Sequence, residues 1–286
     1  MKLNWIKGLL AIVWTISCLT PVDVFSQKSK FYVLAYKYKP GDKYRVSTSS
    51  YSNFTATSGL YNNSYSSETS FDLYQEIEGA DDEAYDMKIR LDLTRFTENG
   101  KNFTYKLGNM FRGDLIHLSF DRFGKVLPET VVYTAVDTTH AQKLKQSSFI
   151  TLIFVPLPDR ALKIGDTWKV TDLLSAEEIN NLAGSVIGIS KPDIRGAYTL
   201  DSVDAGQARI KLSLEISGNG KPANLREMPE LDFLLQINGT FSFNIPDGKI
   251  TYGSVTTEAV GVTSIGETNV DFKGSYTSVF SVEKYK

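Results

Sequence analysis

The chain has 286 residues, 42% hydrophobic and 22% charged, with 31 Lys and Arg against 33 Asp and Glu for a formal charge of −2. That length can bury one or two hydrophobic cores, and the near-neutral balance excludes the clustered positive charge that nucleic-acid binding requires. Cys18 is the single cysteine, which excludes a disulfide framework and a zinc site built on thiolates.

The chain opens MKLNWIKGLLAIVWTISCLTPVDVFSQ. Lys2 and Lys7 make a basic n-region, Gly8 to Thr20 is almost wholly apolar, and Pro21 breaks the helix that stretch would form. The apolar run is shorter than the roughly 20 residues of a membrane span. Val24 and Ser26 are the small residues expected ahead of a signal-peptidase cut, so residues 1–26 read as a cleaved signal peptide with Gln27 as the new N-terminus. A competing reading lipidates Cys18, although Thr15 and Leu19 fit a lipobox poorly. Both readings predict export, to the periplasm or the exterior, with a leaflet-anchored lipoprotein as the alternative. Cleavage would remove Lys2, Lys7 and Asp23, taking the charge from −2 to −3.

KPGDKYRV at 39–46 is echoed by KIGDTWKV at 163–170. Pro40 presets the φ of a turn and Gly41 supplies the positive φ a type II turn needs at its third position; Ile164 and Gly165 can do the same with less preorganisation. Asp42 and Asp166 are expected to accept hydrogen bonds from turn amides. The strand that follows would bury Tyr44 and Val46, or Trp168 and Val170, on one face. Gly41, Asp42, Tyr44, Gly165, Asp166 and Trp168 are therefore read as structural residues, without a catalytic role for either Asp.

Residues 47–70 (STSSYSNFTATSGLYNNSYSSETS) carry one charge, many hydroxyls and the aromatics Tyr51, Phe54, Tyr61 and Tyr65. Rigid aromatics among Ser and Asn make adaptable recognition surfaces, so these four residues are the candidate ligand or partner surface. The plainer reading is a long two-stranded ribbon turning at Ser58-Gly59. Beyond it, apolar/polar alternation marks half-buried strands at 85–94, 208–217, 233–245 and 270–282, separated by turn signals at 78–83, 123–125, 204–207 and 246–249. Two short helices are predicted: 137–149, opened by Asp137, and 175–184, where Ser175 and Glu178 form a capping box.

The echo extends past the GD phrase. MKIRLDLT at 87–94 matches IKLSLEIS at 210–217, Tyr74 matches Tyr198, and Gly124-Lys-Val matches Gly248-Lys-Ile, all at offsets of 123 or 124. The chain is thus expected to be all-β: two tandem pseudo-repeats of antiparallel strands, 27–156 and 157–286, of sandwich or half-barrel type, as two packed β lobes or as two halves of one large sheet system.

LPDRALKIGDTW (157–168), with FDRFGKV (120–126) before it and NGTFSFNIPDGKI (238–250) after it, resembles a broad family of exported bacterial proteins of unknown function. Their shared pattern is a strand ending near x-G-x-V, then L-P-x-x-x-V/L-K-V/I-G-D-S/T-W, then amphipathic strands and a D-G-x-I/L hairpin. The likeness covers most of 115–262 and the first copy loosely. It implies export and a β-rich fold, and no activity, cofactor or catalytic residue to carry over.

Chemistry is sparsely signalled. His117 and His140 are the whole histidine supply, and GVTSIG (261–266) lacks the spacing of a nucleophile elbow. The acidic run Asp81-Asp82-Glu83 lacks the order of a calcium loop and reads as a hairpin tip. GNGKPAN (218–224) lacks the glycine spacing of a P-loop and reads as a loop. No catalytic residue, metal ligand or cofactor is expected. The sequence points to an exported, non-enzymatic β-sheet protein of the cell envelope acting as a binding or structural module, its partner an envelope protein, a glycan or a lipid. One alternative is a periplasmic carrier holding an apolar ligand in a curved sheet. A remoter one is an outer-membrane barrel, which shows the same alternation.

Overall fold

The computed structural model describes residues 30–59, 61–81, 84–111, 115–134, 154–172, 187–189, 193–222, 231–265 and 268–285. Most of them lie in strands, as alternation with few helix signals requires. In chain order these are β1 (Lys43–Ser58), β2 (Tyr61–Ala80), β3 (Ala84–Glu98), β4 (Lys101–Asn102), helix α1 (Thr104–Phe111), β5 (Leu115–Asp121), β6 (Val126–Thr134) and β7 (Thr167–Lys169). A 3-10 turn follows at Val170–Asp172, then β8 (Ile187–Ile189), β9 (Asp193–Asp204), β10 (Gln207–Pro222), β11 (Leu231–Asn244), β12 (Lys249–Ile265) and β13 (Thr268–Lys284). The helices predicted at 137–149 and 175–184 lie outside the described residues. α1 was not anticipated; Asn102 Oδ1 accepts from the Thr104 amide at its start (2.9 Å).

The strands join in one antiparallel sheet of order β6-β5-β3-β2-β1-β13-β12-β11-β10-β9-β7, with β4 beside β3 and β8 beside β10. The two-sheet sandwich among the expected arrangements is therefore not what forms. The reason is the last strand: β13 pairs with β1 along its length, Tyr44 to Lys284 through Thr57 to Asp271, and with β12 on its other side. Among the described residues no pairing joins β6 to β7, so the sheet is open. Residues 218–222, expected in a loop, continue β10, because Ile187–Ile189 and Leu231 supply backbone partners for Gly220 to Pro222.

Alternation sorts each long strand onto two faces. One face carries Tyr44 and Val46 of β1, Leu73 and Ile77 of β2, Met87, Ile89 and Leu91 of β3, Ile210 to Ile216 of β10 at every second position, and Phe233, Leu235, Phe241 and Phe243 of β11, all buried. The opposite face carries Arg45, Glu76, Lys88, Arg90, Arg209 and Lys211, tied by ion pairs such as Lys43–Glu76 and Lys211–Asp201. Apart from Tyr44, these buried residues belong to one continuous cluster, and Tyr32–Lys286 is one compact unit.

Two segments cross the buried face at the end where the GD turns lie. Tyr36 meets Phe120 of β5 (6.3 Å), Phe243 of β11 (5.5 Å) and Phe154 (5.8 Å), each edge to face, the arrangement aromatic quadrupoles favour. Its hydroxyl donates to the Val155 carbonyl (3.1 Å) and accepts from the Val155 amide (3.0 Å). The same segment donates backbone hydrogen bonds to Arg122 from Tyr36 and to Gly248 from Lys37. Gly124 and Gly248 both have positive φ, 81° and 63°. A Cβ would stand 2.6 Å from the Tyr36 ring at Gly124 and 2.6 Å from the Ala35 carbonyl oxygen at Gly248. Both positions demand glycine twice over, for φ and for space.

Candidate functional site

The two GD phrases fold alike. Gly41 and Gly165 have φ of 84° and 90°. Gly41 donates to Ile77 and Gly165 to Leu200; Asp42 receives the Ile77 amide and Asp166 the Leu200 amide; the Asp42 and Asp166 amides close on Lys39 and Lys163. Each carboxylate accepts from the amide three residues back, Lys39 (3.1 Å) or Lys163 (2.9 Å). Both following aromatics are buried. Trp168 stacks on Tyr198 (5.6 Å, 17°) and donates through Nε1 to the Pro156 carbonyl (2.9 Å). Tyr44 packs against the edge of Tyr38 (5.6 Å).

Their carboxylates differ in company. Asp166 is half-exposed and meets Arg160 (3.4 Å). The Lys163 amide, aided by Arg160, holds its carboxyl below the usual aspartate value against a little burial. Asp42 is only 8% exposed and lies between two ammonium groups, Lys284 at the end of β13 (2.5 Å) and Lys249 at the start of β12 (3.7 Å). Burial alone would raise its pKa; the hydrogen bonds from Lys284 and the Lys39 amide, with Lys249 beside it, outweigh that and lower it. Lys249 itself is pulled below its ordinary value by burial, against the attraction of Asp42. Its ammonium sits over the rings of Tyr44 (4.7 Å) and Tyr38 (5.5 Å), a desolvated cation–π setting. Burial and the facing Asp42 push the Tyr44 hydroxyl pKa up. Gln75, cross-strand partner of Tyr44, completes this polar group on the buried face. The sequence offered Asp42 no partner ion; the sheet supplies two, from 207 and 242 residues away. Lys249 had one signal, the DGK hairpin that starts β12, and Lys284 had none.

The four aromatics of the ribbon do not share a face. β1 and β2 pair from Lys43↔Glu76 to Ser58↔Tyr61. Phe54 and Tyr65 are direct cross-strand partners on the face that is buried further down, and the Tyr61 backbone pairs with Ser58. Tyr51 is on the opposite face and 52% exposed. Phe54 packs its ring on Gly274 of β13, which has no Cβ to obstruct it, so much of its contact is used within the sheet.

The buried face changes character along this ribbon. Toward the turn it is apolar core. Further along it carries hydroxyls: Tyr276 Oη donates to Ser50 Oγ (3.0 Å), Ser50 Oγ to Ser278 Oγ (3.0 Å), and Ser52 and Ser67 bond each other (2.7 Å). At the ribbon end Phe54, Tyr65, Phe272, Tyr276, Thr257 and Ile237 are half-exposed, and none bears a charge.

His117 lies on the charged face against Glu78 (3.2 Å). Ser119 of the same strand donates instead to Asp86 (2.6 Å), so these residues are not linked as nucleophile and base. Asp81 Oδ1 accepts from the Ala84 amide (2.6 Å) at the hairpin tip. His140 lies outside the described residues.

No family model matches the chain, and no curated protein matches it. Among solved structures, Ail, the attachment invasion locus protein of Yersinia pestis, aligns over 86% of this chain and 100% of its own at 5% identity and a TM-score of 0.15. A likeness that weak carries no argument.

Proposed function

We propose that the protein is an exported, non-enzymatic binding module of the cell envelope, and that it contacts its partner through the ribbon end of the sheet's inner face. The observation that carries this reading is the change along that face: packed core beside the GD turns, then half-exposed, uncharged aromatic and hydroxyl side chains at Phe54, Tyr65, Phe272 and Tyr276. Rigid rings with hydrogen-bonding neighbours give contact area at low entropic cost. Lack of charge favours one kind of partner, an apolar ligand such as a lipid, which is the carrier reading. The apolar face is covered beside the GD turns by Leu34, Tyr36, Phe154 and Leu157, which weighs against an outer-membrane barrel, where the apolar face would meet hydrocarbon.

We further infer that the scaffold arose by internal duplication. Support comes from the matched hydrogen bonds of the two GD turns and from neighbour order: β1-β2-β3-β5-β6 runs as β7-β9-β10-β11-β12 does. Residues 1–26 act in this reading as the export signal.

Native mass spectrometry on residues 27–286, taken from their own envelope without detergent, tests the binding site. A discrete extra mass that extracts into organic solvent and is lost in Tyr65→Asp is expected for the carrier. An extra mass that survives Tyr65→Asp would place binding elsewhere. A clean mass, with unchanged retention of Tyr65→Asp on its own envelope fraction, would remove the ribbon end from the proposal.

A further inference from the structure

Tyr51, which the fold leaves exposed, stands in an uncharged zone of the outer sheet face. The outward positions 47–53 of β1, 275–281 of β13, 252–256 of β12 and 238–242 of β11 adjoin in register and hold only Ser, Thr, Asn, Tyr and Val. Strand propensity favours Thr, Tyr and Val but not Ser, and it disfavours Asn. A face turned to water is ordinarily interspersed with charges of both signs, and the rest of this face is. Its border ions are paired among themselves, Arg45 with Asp72, Arg95 with Glu68 and Lys211 with Asp201.

Within the zone, Tyr51, Val279 and Tyr252 lie on one diagonal. Val279 is two residues beyond Thr277, the partner of Tyr51, and Tyr252 is two residues short of Ser254, the partner of Val279. Diagonal neighbours stand about 7–8 Å apart, which sets the two tyrosines about 15 Å apart. Both rings are open to solvent, Tyr51 at 52% and Tyr252 at 41%. Ser49 and Ser281 flank this stripe on one side, Thr277 and Ser254 on the other.

A stripe of rings edged by hydroxyls, each both donor and acceptor, matches a chain whose units have a C–H face and a rim of hydroxyls. The zone holds no fixed charge to fasten a phosphate or a carboxylate. We propose that this face binds a neutral oligosaccharide, laid across β1, β13 and β12 with sugar rings stacked on Tyr51 and Tyr252. Rigid phenol rings supply contact area at low entropic cost, and the small polar neighbours supply adaptable hydrogen bonds. The site is on the sheet face opposite the ribbon-end site and stands independently of what binds there.

Affinity electrophoresis of residues 27–286 through native gels containing laminarin, dextran, mannan or glycol chitin tests it, with alginate as the acidic control. Retardation by at least one of the neutral polysaccharides, and not by alginate, is expected. Tyr51→Ala and Tyr252→Ala should each raise the apparent Kd about tenfold or more, as loss of an aromatic anchor does. Tyr105→Ala, which removes a ring 85% exposed on α1, should leave it unchanged. Melting each variant beside the parent separates lost binding from lost fold. Retardation in none of the neutral gels would overturn the proposal. So would equal retardation by alginate, or binding that survives both Tyr51→Ala and Tyr252→Ala.

Discussion

The two GD turns are nearly identical within their own segments and unlike in what surrounds them. Each puts a glycine at φ near 85–90°, closes the same backbone hydrogen bonds and feeds a buried aromatic into the core. Asp166 then stays with its neighbour Arg160, whereas Asp42 ties the first turn to Lys249 and Lys284, the ends of β12 and β13. A short phrase thus specifies the turn, while the residue's weight in the fold depends on strands brought in from the far end of the chain.

The largest effects should come from glycines that the two halves use alike. Gly124→Ala and Gly248→Ala force a positive φ and a clash together, with Tyr36 and with the Ala35 backbone respectively. Each should destabilise by about 3 kcal/mol or more. Gly41→Ala and Gly165→Ala have open space at the new Cβ and should cost only the conformational strain, about 1–2 kcal/mol. Urea melts of the four variants check this, and equal losses across all four would break the comparison. Tyr36→Phe should cost about 2 kcal/mol, because the Val155 amide and carbonyl both lose their partner.

Next comes the contrast between the aspartates. Asp42→Asn leaves Lys249, whose side chain is 19% exposed, without its counter-ion and should cost about 1–3 kcal/mol, while Asp166→Asn should melt close to the parent. The smallest effect is expected at Tyr51, which points to solvent: Tyr51→Ala should change stability by less than about 0.5 kcal/mol. Phe54→Ala, which uncovers Gly274, should melt visibly lower, so the pair reports which ribbon face is used within the sheet.

Local pattern made much of this legible. Alternation over 85–94 and 208–217 lies within β3 and β10, and Ala205 and Gly206 form the turn that DAGQ signals. Parity could also have separated Tyr51 from Phe54, since odd and even positions of β1 face opposite ways; placing Tyr65 required the register across Ser58-Gly59 as well. What stayed hidden is non-local. Nothing in 268–284 announces that it pairs with β1, so the sequence left one sheet and two lobes equally open, and it did not show the Lys partners of Asp42. Helix α1 is eight residues long with Gly108 inside it, too short and too interrupted to print a period. GNGKPAN looked like a loop because Gly and Pro punctuate most chains; here backbone partners on both sides override that preference.

Asp42 pins the fold more firmly than Asp166 does, and melting the parent, Asp42→Asn and Asp166→Asn between pH 7 and pH 2.5 puts that difference to the test. A carboxylate whose folded pKa is depressed stabilises above its unfolded value, near 3.8 for aspartate, and that contribution is lost as pH falls through the folded pKa. The parent should melt about 2–10 °C above Asp42→Asn at pH 7, and the gap should close below pH 4, while Asp166, also depressed but more exposed and screened, leaves a smaller gap that closes over the same range. Equal deficits in the two variants, or a gap for Asp42→Asn that persists unchanged at pH 2.5, would contradict it.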